Sequence, residues 1–332
     1  MLLFYNLFLN LTIINIYSLE VFIWKNKIIK SIYLKKIIFT PDPVTSIFNL
    51  IGNTPILNIS NYNKINLFAK LEGYNIGGSI KDRIAYNIIE YAEKNKLLNK
   101  DKVILEASSG NTAIGLSIVA AVKGYKIMVI LSEDVSFERK RILQLLGAEL
   151  IFTPKEEGTD GAIRLLKKIY STSPEKYFLT DQYSNPVNLF THYHQTAKEI
   201  IYQLPNITHL FVGLGTSGTA VGLSKALKEC NPNIKTIAVE PEKNHKIFGL
   251  KNMSESIIPK IYSKKYFDKI ETACTKETYL ATKELIKNKG LLVGISSGAV
   301  YSVVKRYVNK QEGGNYLMIF PDRFERYTSI SF

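Results

Sequence analysis

The chain has 332 residues, enough for one large or two ordinary domains, and its 46% of hydrophobic residues is typical of a soluble globular protein. The formal net charge of +14 comes from lysines spread along the chain, not from a basic stripe interleaved with aromatic residues, so we expect no nucleic-acid partner. Two cysteines without a C-x-x-C spacing argue against a disulfide framework and favour the reducing cytoplasm. Four histidines without clustered carboxylate or thiolate partners predict no metal site.

Residues 1–45 differ from the rest of the chain. Residues 1–19 carry no charged side chain, and five lysines follow between positions 25 and 36. A secretory signal would place its positive charge before the apolar run and small residues at a cleavage site after it, and the sequence does neither. Asn6, Asn10 and Asn15 disfavour a membrane anchor. We interpret residues 1–45 as an extension of unknown role, with membrane attachment not expected and targeting left open.

From residue 46 onward, apolar runs alternate with amphipathic segments of helical period. The predicted strands are 66–70, 101–107, 126–131, 149–153, 208–213, 235–241, 291–295 and 315–320. The predicted helices are 83–95, 111–124, 137–147, 219–229, 276–290 and 299–308. Strands that are apolar throughout, separated by helices, predict parallel sheets covered on both faces. Because the predicted strands are more than one sheet usually contains, we expect two α/β domains with a cleft between them.

A glycine-rich loop follows the predicted strand at 208–213. Gly213, Gly215 and Gly218 form a G-x-G-x-x-G pattern before a helix, and Glu240 ends the next strand at nearly the spacing of a ribose-binding acid. Such a loop binds either the pyrophosphate of a dinucleotide or the single phosphate of another cofactor. The pattern alone leaves both interpretations open.

A lysine stands at the start of the helix near residue 83. Lys81 follows the Gly77–Gly78 turn, and Ser79 with Asp82 three residues later is the spacing of a reciprocal helix cap. The positive end of the helix dipole disfavours an ammonium group, and a neutral lysine amine suits Schiff-base chemistry. We therefore treat Lys81 as a candidate nucleophile.

Two more strand-to-helix loops are rich in hydroxyl groups. The loop at 108–112 combines Ser108, Ser109, Asn111 and Thr112 with a helix N-terminus, which suits a carboxylate. The loop at 294–299 presents Ser296. In parallel sheets such loops lie at the carboxyl ends of the strands, where ligands bind. A phosphate loop, an anion loop, a lysine and a hydroxyl group together predict one site.

From about Ser46 to Phe332, the chain resembles the cysteine synthase family, whose members are fold-type II enzymes that use pyridoxal phosphate and share the tryptophan synthase β fold. The segments that carry the resemblance occur in order along the chain: IGNTPIL, KLEGYNIGGSIKDRIA, EASSGNTAIGLS, DQYSNPVN, GLGTSGT, VEPEKNHKIFG and GISSGAV. The resemblance implies a large cofactor-binding domain from 46–80 and 181–332. It also implies a smaller mobile domain from 81–180 that closes on the substrate.

The resemblance also implies a role for each candidate. Lys81 would hold the cofactor aldehyde, Asn111 its phenolic oxygen and Ser296 its ring nitrogen. The phosphate would be bound by Gly215, Thr216, Ser217, Gly218 and Thr219, and the substrate carboxylate by Ser108, Ser109, Asn111, Thr112 and Gln182. The hydroxyl groups of the glycine-rich loop can surround one phosphate, so we favour pyridoxal phosphate over a dinucleotide, which leaves Glu240 without a ribose to bind.

The implied activity is that of a transferase that makes L-cysteine. Sulfide would replace the O-substituent of O-acetyl-L-serine or O-phospho-L-serine. Lys251, Arg323 and Arg326 are candidate cations for a phosphate leaving group. Alternatives within the same chemistry are cystathionine β-synthase and serine or threonine dehydratase. The resemblance further implies a cytoplasmic homodimer whose cleft can receive the C-terminal tail of serine acetyltransferase.

Overall fold

The structure is a computed structural model that describes residues 43–62, 64–108, 110–309 and 313–329, together with two dipeptides nearer the N-terminus. The chain divides into two compact units, Met1–Val44 and Thr45–Phe332. In the first unit, β1 (Ile23–Trp24) pairs antiparallel with β2 (Lys27–Ile28). Apart from these two dipeptides and residues 43–45, the predicted extension lies outside the described residues.

The second unit contains a six-stranded sheet in the order β11-β10-β9-β12-β4-β3. Its strands are β3 (Ile56–Tyr62), β4 (Ile65–Leu71), β9 (His209–Gly213), β10 (Lys235–Pro241), β11 (Lys269–Ala273) and β12 (Gly314–Phe320). All neighbours are parallel except β3 and β4. These two strands are separated by only two residues, and so short a connection joins only antiparallel strands. At this edge the large sheet departs from the predicted parallel arrangement.

A second, four-stranded sheet has the order β7-β6-β5-β8 and is parallel throughout. Its strands are β5 (Val103–Ala107), β6 (Lys126–Ser132), β7 (Glu149–Thr153) and β8 (Tyr177–Leu179). This sheet falls within residues 81–180, where the smaller domain is predicted. The division of residues 46–332 into a large and a mobile domain stays a prediction.

Helices cover both faces of each sheet. They are α1 (Lys81–Lys94), α2 (Asn111–Lys123), α3 (Phe137–Leu145), α4 (Gly158–Thr172), α5 (Pro186–Thr191), α6 (Ala197–Gln203), α7 (Gly218–Cys230), α8 (Thr275–Lys289) and α9 (Ile295–Val308). In β12, Met318 and Phe320 pack toward α8 and α9, whereas Leu317 and Ile319 pack toward α6 and α7. In the smaller sheet, Ile104 faces α1 and α2, and its neighbour Leu105 faces α4. Burial on both faces explains why the strands are apolar throughout, and the predicted three-layer α/β class is confirmed.

The predicted strand at 291–295 does not form. Val293 makes a single bridge to Arg323, and α9 already begins at Ile295. The segment leaves α8 through Gly290, which has a left-handed φ of 66°. It is apolar because Val293 and Ile295 are buried against the large sheet, not because they belong to it.

Candidate active site

A cavity of about 600 Å³ lies among the loops that follow the carboxyl ends of strands in both sheets. The structure brings most of the predicted residues to it: Lys81, Ser108, Asn111, Thr112, Gln182, Gly215, Thr216, Ser217, Thr219 and Ser296. Gly218 belongs to the same loop as its neighbours, at the first position of α7. Ser109 lies outside the described residues.

Lys81 begins α1, and the predicted reciprocal cap forms around it. The Ser79 hydroxyl accepts a hydrogen bond from the Lys81 backbone N–H at 3.2 Å. The Asp82 carboxylate in turn accepts from the N–H groups of Ser79 and Gly77, at 3.5 and 2.7 Å. This pattern fixes the first turn of the helix, and with it the position from which the lysine side chain enters the cavity.

The pKa of Lys81 is lowered to about 8. The largest cause is burial, which disfavours the ammonium form, and the Asp322 carboxylate opposes it by favouring that form. The prediction gave the helix dipole as the cause, whereas the structure assigns the effect mainly to desolvation. With a pKa about one unit above neutral pH, roughly a tenth of Lys81 is neutral, and nucleophilic, at pH 7.

The glycine-rich loop is held in place by α5 and the residues after it. Asn188 donates to the Thr216 hydroxyl at 3.0 Å, and the Thr219 hydroxyl lies 3.0 Å from Nε2 of His192. Ser217 has a left-handed φ of 70° and precedes α7 directly. The loop therefore presents hydroxyl groups beside a helix N-terminus, the positive end of the helix dipole.

The loop fits the phosphate of pyridoxal phosphate. Ser217 is only 2% exposed, and its hydroxyl oxygen finds no hydrogen-bond partner among the described residues, although the loop borders the cavity. A buried hydroxyl without a partner is costly unless a ligand satisfies it. A phosphate at the N-terminus of α7 supplies acceptors for such donors.

A chain of hydrogen bonds supports the loop predicted to bind the substrate carboxylate. Thr112 donates to Oε1 of Gln182 at 2.7 Å, and Nε2 of Gln182 donates to Glu106 at 2.6 Å. Glu106 also accepts a hydrogen bond from the Thr180 hydroxyl. Sequence reasoning missed Glu106, although a carboxylate near the end of an apolar strand was a signal for it. Its accepting oxygen fixes which way the Gln182 amide points.

Asn111 belongs to a second cluster, which sequence reasoning also missed. It donates to Oδ2 of Asp322 at 2.8 Å and accepts from Arg326, and the Tyr327 hydroxyl donates to the same Asp322 oxygen at 2.5 Å. Oδ1 of Asp322 is buried without a hydrogen-bond partner in the described part of the chain. The position of Asp322 directly after β12 was the available signal, because ligand sites follow strand ends.

The three candidate cations occupy different positions relative to the cavity. Lys251 lines the cavity, 3.8 Å from Oδ1 of Asp160, and burial lowers its pKa. Arg326 lies at the edge of the site against Asn111. Arg323 is exposed and paired with Glu325, so the structure does not bring it into the cavity. Arg139, which no sequence signal indicated, also lines it and stacks on the Tyr327 ring.

Comparison with known proteins shows which family the chain belongs to. Residues 47–322 match the family described as "Pyridoxal-phosphate dependent enzyme". The chain belongs to this family. It is 38% identical to the protein named cysteine synthase of Aquifex aeolicus over 298 residues, covering 86% of this chain and 91% of that protein.

Two solved structures share the fold. The cysteine synthase of Entamoeba histolytica is 33% identical with a TM-score of 0.81, covering 87% of this chain and 90% of that one. The O-acetylserine-dependent cystathionine β-synthase of Helicobacter pylori is 35% identical with a TM-score of 0.82, covering 87% and 98%. The predicted family, fold type and pyridoxal phosphate cofactor are confirmed. The roles of the individual site residues stay predictions. In the described part of the chain, no helix combines the length and apolarity needed to cross a membrane.

Proposed function

We propose that this site makes L-cysteine by replacing the O-substituent of an activated L-serine with sulfide. The observation that carries the proposal is the position of Lys81. Its buried, partly neutral amine shares one cavity with a hydroxyl-lined phosphate loop and with an anion-binding loop. The similarity to cysteine synthases over 86% of the chain supports the same conclusion.

Each residue then has a chemical task. Pyridoxal phosphate, when bound, supplies an aldehyde for amines and a ring that takes up the electron pair released at the substrate α-carbon. Lys81 would hold the aldehyde, and its amine would remove the α-carbon proton and later return it. Ser296 offers the ring nitrogen a neutral hydroxyl.

The substrate carboxylate is assigned to the loop at 108–112 with Gln182. Thr112 and Gln182 already share a hydrogen bond at 2.7 Å, so a carboxylate that arrives there meets preoriented groups. We assign Ser108, Ser109 and Asn111 to the same carboxylate. Its capture draws the smaller domain toward the large one and excludes water from the reacting β-carbon.

The leaving group is acetate or phosphate, and Lys251 bears on the choice. Its ammonium group lines the cavity, 3.8 Å from Oδ1 of Asp160 and 4.8 Å from the centre of the Tyr183 ring, and is placed to pair with an anionic substituent. We expect Lys251→Met to lower kcat/KM for O-phosphoserine by about tenfold more than for O-acetylserine. Equal losses for the two substrates would show that Lys251 does not contact the substituent.

Three further features belong to the proposal. We propose a homodimer and a cytoplasmic location. We also propose that the cleft receives the tail of serine acetyltransferase, which is supported by an adjoining cavity of about 1180 Å³ that shares Phe248 and Tyr327 with the first. A C-terminal peptide of that enzyme should then compete with the serine substrate.

The decisive assay measures cysteine formed from O-acetylserine and from O-phosphoserine with sulfide. Parallel reactions replace sulfide with homocysteine, because the Helicobacter pylori relative is named a cystathionine β-synthase. Reactions without a sulfur nucleophile measure β-elimination to pyruvate, with loss of acetate or phosphate from the esters and of water from L-serine. Cysteine as the main product supports the proposal. Cystathionine or pyruvate as the main product with either ester would replace it with one of the alternatives.

A further inference from the structure

His192 lies buried between two threonine hydroxyl groups. Its Nδ1 is 3.0 Å from Oγ1 of Thr196, and its Nε2 is 3.0 Å from Oγ1 of Thr219, in the phosphate loop. The side chain is fully buried. Both ring nitrogens thus have a partner, and the histidine connects the loop to residues outside the cavity.

The backbone is shaped to make this contact. His192–Thr196 form a π-helical turn between α5 and α6, a rare geometry that often occurs at functional sites. The turn packs on α7 at Gly222, where a Cβ would lie 2.6 Å from the carbonyl oxygen of Leu189 and 3.1 Å from Cβ of His192. The missing side chain at Gly222 lets the histidine reach Thr219, one helical turn earlier.

The imidazole is neutral in this position. Burial holds the pKa of His192 well below its usual value, and the positive charges of Lys81 and Arg83 lower it further. A neutral imidazole has one N–H donor and one acceptor nitrogen, so the two hydroxyl contacts cannot be equivalent.

The two tautomers give Thr219 opposite properties. If Nδ1 carries the proton, Nε2 accepts from Thr219, and the threonine turns only lone pairs toward the phosphate. If Nε2 carries the proton, it donates to Thr219 and leaves the threonine hydroxyl proton free to donate to the phosphate. Residues 213–219 include no lysine, arginine or histidine, so the loop depends on hydroxyl and backbone donors.

We propose that His192 is a positioning residue for the cofactor phosphate. It is held as the Nε2–H tautomer by the Thr196 hydroxyl, which donates to Nδ1, and it thereby makes Thr219 a hydrogen-bond donor to the phosphate. The inference rests on the proposed assignment of Thr219 to the phosphate.

The first test observes the tautomer directly. Nitrogen-15 NMR of the histidine-labelled holoenzyme distinguishes the two neutral tautomers and the imidazolium. The chain has four histidines, and the His192 signals are those lost in His192→Gln. The expected result is a neutral ring protonated at Nε2. A ring protonated at Nδ1, or at both nitrogens, would overturn the inference.

The second test is a double-mutant cycle read as the dissociation constant of pyridoxal phosphate. We expect His192→Leu to weaken binding about tenfold in the native background and to have no further effect in the Thr219→Val background. His192→Gln should bind nearly as the native protein does, because its amide offers one acceptor and one donor. The control is His194→Gln, a change at an exposed neighbour that should alter nothing.

The cycle separates two kinds of failure. Equal losses from His192→Leu in both backgrounds would show that the histidine acts independently of Thr219, and would overturn this inference alone. If Thr219→Val leaves cofactor binding unchanged, the assignment of Thr219 to the phosphate is itself wrong.

Discussion

At the residue scale, the chemistry depends on Lys81. Its pKa of about 8 keeps part of the amine neutral, and Lys81 lines the same cavity as both anion-binding loops. We expect Lys81→Ala to lose at least about a thousandfold in cysteine formation while keeping its fold. Steady-state assays and circular dichroism check this. Lys94→Ala, at an exposed position of the same helix, is the matched control and should form cysteine at the native rate. Turnover by Lys81→Ala close to the native rate would contradict the mechanism.

Glu106 makes the stability of the fold depend on pH. Burial raises its pKa from the ordinary 4.5 to about 7. Between pH 4.5 and 7 the folded protein keeps a proton on Glu106 that the unfolded chain has released. The group therefore adds to the free energy of unfolding at low pH, and this contribution is lost as the pH rises through 7. Glu106→Gln cannot ionise, so its Tm relative to the native protein should rise between about pH 5 and 8.

Thermal unfolding of both proteins across that range is the measurement. Glu175→Gln, at an exposed position, is the control and should show no such trend. A constant difference in Tm between Glu106→Gln and the native protein would mean that Glu106 does not titrate there.

Residues in contiguous motifs could be predicted, and residues brought together by the fold could not. Lys81, Thr112 and Ser217 stand in strand-to-helix loops whose geometry is local, so the sequence indicated them and the structure places them at one cavity. His192 reaches that loop only because α5 and its π turn pack on α7. No periodicity or spacing in the sequence encodes that long-range contact.

At the element scale, the contact between α5 and α7 depends on Gly218 and Gly222, four residues apart on one face of α7. A side chain at Gly218 would collide with Asn188, and one at Gly222 with the backbone of Leu189. Glycine to alanine within a helix is normally stabilising by about 1 kcal/mol. Here the overlap should reverse the sign, so we expect Gly222→Ala to destabilise the protein by about 1–3 kcal/mol.

Denaturant unfolding measures this change, and cofactor binding should weaken with it because the phosphate loop moves. Cys230→Ala, at the exposed end of the same helix, is the control. If Gly222→Ala were as stable as the native protein, the close packing of α5 on α7 would be wrong.

The periodicity of apolar residues predicts some strands correctly and others not. The strand at 149–153 and the strand at 235–241 have the predicted bounds, because their apolar runs are also their paired residues. The segment at 291–295 is also apolar, but it is buried because its side chains pack against one face of the large sheet. An apolar run predicts that a segment is buried. Whether its backbone also pairs as a strand depends on the tertiary fold.

At the scale of the whole molecule, a buried ion network ties α1 to the large sheet and to α6. Arg83 pairs with Glu72 at 2.7 Å and with Glu199 at 2.6 Å, and Lys70 pairs with Glu199 at 2.7 Å. Removing Arg83 would leave the fully buried Glu72 uncompensated, so Arg83→Met should cost about 3–5 kcal/mol of unfolding free energy. Arg164→Ala breaks an exposed pair with Glu157 and should cost under about 1 kcal/mol. Similar small losses for both variants would show that the network is not structural.

The proposed function depends on which lysine carries pyridoxal phosphate. Among the described residues, three buried or half-buried lysines have lowered pKa values, Lys70, Lys81 and Lys251, and their surroundings distinguish them. Borohydride reduction of the holoenzyme, followed by peptide mass mapping, fixes the cofactor to the lysine that holds it. We predict a single labelled peptide, modified at Lys81. A label at Lys70 or Lys251, or no label on enzyme that retains its cofactor, would contradict the proposed site.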